Sequence, residues 1–138
     1  MSDIAIAFID HIAITAADID RSCRFYESVL QARIVHEFVK DGVLLARQMR
    51  AGGAMFNVHK AGNGVTLAAA RPTPGAIDIC FRWDAPIQSA IEHLISCGVI
   101  IVEGPCPRIA SSGETGMSVY FRDPDANLLE FLSLADES

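Results

Sequence analysis

The feature that most constrains this chain is an order of elements that occurs twice at an almost constant spacing. Asp10–Ala16 alternates as a strand does, Asp18 is placed to cap a helix, and Ile19, Cys23, Tyr26 and Leu30 recur at helical spacing. Residues 32–38, 43–50 and 54–60 read as three strands, turned by Lys40-Asp41-Gly42 and by Gly52-Gly53. The order then returns. Residues 77–83 form a strand, Asp84-Ala85-Pro86 opens a helix carrying Ile87, Ala90, Ile91 and Leu94 that stops near Gly98, and 99–102, 117–122 and 128–133 supply three more strands. His11 maps onto Asp78 at an offset of 67 residues, Asp18 onto Asp84 at 66 and Ile34 onto Ile101 at 67. Asn57 maps onto Glu130 at 73, the excess being assigned to a longer loop from Gly104 to Gly116, whose Ser111–Gly116 part reads as a mobile rim. The spacing predicts an α+β fold of two βαβββ modules in one domain, 1–138. Module one covers about 6–60 and module two about 77–135, with a Gly- and Pro-punctuated linker at 61–76.

Composition narrows the function classes. The chain is 51% hydrophobic and 20% charged, which is globular, and its apolar runs are too short to span a bilayer. A net charge of -6 with scattered Lys and Arg argues against nucleic acid and anionic membranes as partners. The first residues carry an acid where a secretory leader carries basic residues, so a cytoplasmic location is expected. Cys23, Cys80, Cys97 and Cys106 lack zinc-site spacing and read as core or bystander thiols. So apolar a chain is expected to cover surface by forming a homodimer.

Strand alternation sorts the polar candidates by face. His11, Ala13 and Thr15 oppose Ile12 and Ile14; Asn57 and His59 oppose Phe56 and Val58; Asp78, Cys80 and Arg82 oppose Ile77, Ile79, Phe81 and Trp83. Glu130 lies among Leu128, Leu129, Phe131 and Leu132, where a carboxylate costs several kcal/mol to desolvate unless a cation or Arg compensates. His11, Asp78 and Glu130, with His59 or Asn57, make a nitrogen and oxygen set suited to Mn²⁺, Fe²⁺, Ni²⁺ or Zn²⁺. The competing readings are a hydrogen-bonded strand-end histidine for His11 and an ion pair with Arg82 or Arg71 for Asp78. His36 and His93 read as solvent-facing, and Arg71 and Arg108 as candidate anion contacts.

Asp10-His-Ile-Ala-Ile-Thr-Ala-Ala-Asp18 with Phe25-Tyr26, and Tyr120-Phe-Arg-Asp-Pro-Asp-Ala-Asn-Leu-Leu-Glu-Phe131, resemble the opening and closing signatures of the vicinal oxygen chelate superfamily. Pro72–Phe81 is similar to its glyoxalase-domain, virulence-associated subgroup. The resemblance implies two modules whose sheets form an incompletely closed barrel, a cup, with metal ligands at His11 and Glu130. It also implies His where this chain has Asp78, and Glu or another polar ligand where it has Asn57. Asn57, Arg82 and Tyr120 are the expected pocket residues, and Glu130 the expected proton-moving catalytic residue. The implied activity is that of a metal-dependent lyase, isomerase or transferase of glyoxalase type, whose cation chelates two adjacent oxygens of a small-molecule substrate. The alternative is a non-catalytic, bleomycin-resistance-like binder of a drug or metabolite.

Overall fold

The computed structural model describes residues 4–135. Its elements run β1 (Ile12–Ala16), α1 (Ile19–Val29), β2 (Arg33–Lys40), β3 (Val43–Ala51), β4 (Ala54–Lys60), β5 (Asp78–Trp83), α2 (Ile87–Ser96), β6 (Ile101–Ile109), β7 (Thr115–Arg122) and β8 (Leu128–Ser133). They form two four-stranded sheets, ordered β1-β4-β3-β2 and β5-β8-β7-β6, each with its first and last strands parallel. The duplicated βαβββ order is therefore present, and the sheets stay separate rather than closing into a barrel. No described helix is long and apolar enough to cross a membrane.

Each helix covers one face of its own sheet. In the first module Ile14, Ala16, Met49, Phe56 and Val58 are buried beneath Ile19, Cys23 and Tyr26 of α1, and Arg47 of that face reaches Asp20 on the helix at 2.7 Å. Asp18 caps α1 through the Arg21 amide at 3.1 Å. In the second module Ile87, Ala90 and Leu94 of α2 pack with Val119, Phe121, Leu129 and Phe131. One core runs through both modules.

Two expectations are corrected. The segment from Gly104 to Gly116 is mostly strand, β6 reaching Ile109 and β7 starting at Thr115. Pro105 and Pro107 fall within β6, an edge strand, where a missing N–H need cost no ladder bond. His93 is not solvent-facing either: its Nε2 donates to the Val29 carbonyl at 2.8 Å, joining α2 to α1.

The seam between modules centres on the turn Asp123–Asn127. The buried Asp123 carboxylate accepts from the Tyr26 hydroxyl, from the amides of Asp125 and Asn127 at 2.9 Å each, and from Asn127 Nδ2 at 2.7 Å. Burial, then the bond to Asp123, pushes the Tyr26 hydroxyl far above the usual phenol range, so it stays a donor. Asp125 accepts from Arg21 and Ser22 of α1 at 3.2 Å each. Tyr26→Phe is expected to cost about 1–3 kcal/mol, and Asp123→Ala, which strands several donors, about 3–5 kcal/mol. Asp18→Ala, which removes only a cap, should cost about 1 kcal/mol. Urea-unfolding midpoints of the three variants check this order.

Candidate functional site

The sheet face turned away from α1 carries the polar side chains of the first module. Register places Ala13 beside Asn57, Thr15 beside His59 and Gln48 beside Asn57. Asn57 is only 9% exposed, and its Oδ1 has no hydrogen-bond partner among the described residues. His11 stands just before β1, with Nδ1 2.8 Å from the Asp10 carboxylate. That contact orients the ring and leaves Nε2 as its free nitrogen, the arrangement that metal-binding histidines favour. His59 is half-buried, and burial, helped by the charge of His11, holds it below the ordinary histidine range. It lines a cavity of about 340 Å³ between this sheet and the 61–77 segment.

The corresponding face of the second module holds a different set. Glu130 lies between Cys80 on β5 and Tyr120 on β7, and Arg82 lies beside Leu132. Arg108 Nε donates to the Tyr120 hydroxyl at 2.8 Å, with the guanidinium 5.4 Å from the ring centre. Arg82, Arg108, Tyr120 and Glu130 share a cavity of about 370 Å³. The Cys80 thiol is pushed up to about 12, first by burial of its sulfur and then by the Glu130 carboxylate, even though the residue as a whole is exposed. Burial likewise raises the Tyr120 phenol.

The candidates His11, His59, Asp78 and Glu130 do not come together within one chain. Among the described residues no three His, Cys, Asp or Glu side chains are close enough to hold a metal ion. The cavities lined by His59 and by Glu130 have no residue in common. Alternation identifies the face of a strand, not which module that face looks toward. Asp78 is exposed and sits beside Leu128, so the β5 residue opposite Glu130 is Cys80. Sequence reasoning placed Cys80 on this face but gave it no part, and it missed Asn63, which holds His59. Only the three-dimensional path of the 61–77 segment brings Asn63 there.

A family model described as the glyoxalase/bleomycin resistance protein/dioxygenase superfamily matches residues 8–131. The chain is 38% identical over 122 residues to virulence protein STM3117 of Salmonella typhimurium, covering 88% of this chain and 81% of that protein. It is 33% identical over 133 residues to glyoxalase domain-containing protein RDO1 of Mycosarcoma maydis, covering 96% and 72%. The solved structure of integron cassette protein VCH_CASS1, from the mobile metagenome of V. cholerae, superposes with a TM-score of 0.85 at 34% identity, covering 97% of this chain and 100% of that one. More remote structures share the fold alone. They include FosX of Listeria monocytogenes with Mn(II) and a dihydroxypropylphosphonic acid, at TM-score 0.63 and 20% identity, covering 92% of this chain and 90% of that one. Another is the Streptomyces antibiotic binding protein TnmS3, at 0.72 and 18%, covering 96% and 100%.

The geometry around Glu130 makes Cys80 a slow nucleophile. Alkylation of Cys80 by iodoacetamide at pH 8 is expected to be at least about a hundredfold slower than that of a free thiol, because so little thiolate is present. Glu130→Gln removes the neighbouring negative charge and should accelerate it. Mass spectrometry of the modified peptide gives both rates.

Proposed function

The chain belongs to the glyoxalase/bleomycin resistance protein/dioxygenase superfamily, and from that premise we propose a divalent-metal-dependent enzyme of glyoxalase type, acting on a small molecule with two vicinal oxygens. The observation that carries the reading is the buried, unpartnered Oδ1 of Asn57 on the concave face of the first sheet. A buried acceptor without a donor costs about 1–3 kcal/mol, and a cation would remove that cost. His11 Nε2, Asn57 Oδ1, Asp78 and Glu130 form a nitrogen and oxygen set that fits Zn²⁺, Ni²⁺, Mn²⁺ or Fe²⁺. His59 stands outside this set, because its Nδ1 accepts from Asn63 Nδ2 and the neutral ring then carries its proton on Nε2, leaving no lone pair for a cation.

Two of these donors belong to each module, and among the described residues no three His, Cys, Asp or Glu side chains gather closely enough to hold a metal ion. We therefore assign the working cup to a homodimer in which module one of one copy faces module two of the other. The apolar surface on each chain supports this: Ile4, Ile6, Phe8 and Ile9, ahead of β1, are 76–87% exposed, and Val39 on β2 is 59% exposed.

When bound, the cation supplies Lewis-acid polarisation of the substrate's two oxygens. Glu130 moves the proton. Cys80 and Tyr120 on either side of it have raised pKa values and stay protonated near neutral pH, so they act as neutral hydrogen-bonding neighbours. Four free thiols accord with a cytoplasmic location. A sequestering module without chemistry is the second reading, favoured by the exposure of Asp78.

About one divalent metal per working site is expected in protein purified without chelator, and light scattering should give a dimer. His11→Ala and Glu130→Ala should each abolish uptake. A co-expressed mixture of the two should recover about one site in four, since half the molecules are heterodimers, each with one intact cup. No recovery would place the whole set within one chain. No metal in the wild type would favour the sequestering reading. Titration of Asp78→Ala against Asp78→His tests the fourth donor: the first should lose affinity, and the second should keep it with a preference for imidazole-friendly ions.

A further inference from the structure

The 61–77 segment is tied to the first module at one end and to the Asp123–Asn127 turn of the second at the other. The Ala61 amide donates to the Ala16 carbonyl at 2.9 Å, and the Ile77 amide donates to Asn127 Oδ1 at 2.9 Å. Gly75, at φ +82°, lies so close to the Asp125 carbonyl that an added Cβ would sit 2.7 Å from it. Beneath this strap is the cavity of about 340 Å³, at the small end of the range for small-molecule sites. Its walls are mainly apolar, formed by Ala13, Val65, Pro72 and Ile77, with Leu67, 96% exposed, at the open edge.

One polar group in that wall has its proton position dictated by its neighbours. Asn63 Nδ2 donates to the Leu45 carbonyl at 3.0 Å, while Asn63 Oδ1 accepts from the Val65 amide at 3.0 Å. A carbonyl cannot donate and an amide N–H cannot accept, so the Asn63 side chain has one permitted orientation. Its second N–H points at His59 Nδ1, 3.1 Å away. His59 Nδ1 is therefore an acceptor, and the neutral ring carries its proton on Nε2. No hydrogen bond to Nε2 is present among the described residues. Lys60 and Arg71 also line the cavity, and both are exposed, adding positive charge at its rim.

We propose that this cavity is a binding site in its own right, holding a small, mainly apolar carboxylate whose oxygen accepts from His59 Nε2–H. His59 is then a fixed donor within one chain. The site lies on the face that carries Asn57, so it deepens the proposed function by naming a ligand class for that face; it needs no metal, since it uses neither His11 nor Glu130.

Nitrogen-15 NMR of metal-free protein labelled at histidine is expected to show His59 protonated on Nε2 and bare on Nδ1. The opposite tautomer would overturn the assignment. Benzoate is the probe, and toluene is its counterpart without an acceptor. Benzoate should bind saturably and shift the His59 Nε2–H resonance, with toluene at least about tenfold weaker, the loss expected for one charged hydrogen bond. His59→Phe should weaken benzoate by a similar factor, while His59→Gln, which keeps an N–H donor, should retain most of it. Equal binding of toluene and benzoate would reduce the cavity to an apolar slot, and no binding of either would remove the site. Glu130→Ala should bind benzoate as the wild type does, so failure here and failure of the metal reading are separable.

Discussion

The buried carboxylate of Asp123 determines how the two modules meet. Such a group is tolerated only when its lone pairs are filled, and here Tyr26 fills one from the other module while the turn's own amides and the Asn127 side chain fill the rest. Because Asn127 Nδ2 is committed to Asp123, its Oδ1 is left to receive the Ile77 amide. The Leu128 amide returns a bond to the Ile77 carbonyl at 3.0 Å. These contacts set where β5 begins beside β8, and therefore set Asp78 against Leu128 and Cys80 against Glu130. A turn that contributes no side chain to the candidate chemistry thus fixes the register of the residues that do.

A second constraint is numerical. A four-stranded sheet has two faces, and each module has one helix, so one face of each sheet is covered from within and the other is not. In the first module the strap from 61 to 77 covers part of the remaining face, where it creates a cavity and immobilises His59. The second module has no such strap, and Glu130, Tyr120, Arg82 and Arg108 face a more open cavity. The duplicated architecture therefore carries two chemically different concave faces, one with a tautomer-locked imidazole and one with a carboxylate flanked by neutral donors.

Much of this was legible in the chain. The offset of 67 residues identified two modules, because duplicated elements keep their internal spacing, and alternation put Asn57, His59, Asp78 and Glu130 on faces away from the helices. β4 and β8 fall where the pattern placed them, at Ala54–Lys60 and Leu128–Ser133. The pattern failed where local signals were overruled by position in the sheet. The stretch from Gly104 to Gly116 reads as a loop, yet β6 runs through it to Ile109, Pro105 and Pro107 included, as an edge strand.

The sequence alone determined the family, the two modules and which face of each strand is polar, since periodicity and motif spacing are properties of the chain read along its length. The tertiary structure alone decided that His59 meets Asn63, that Cys80 rather than Asp78 stands opposite Glu130, and that among the described residues no three metal-ligating side chains gather at one point. The physical reason is that these are relations between strands and across a strap. They depend on sheet register and on buried hydrogen bonds such as those of Asp123 and Asn127, whose partners lie up to 97 residues away in the chain.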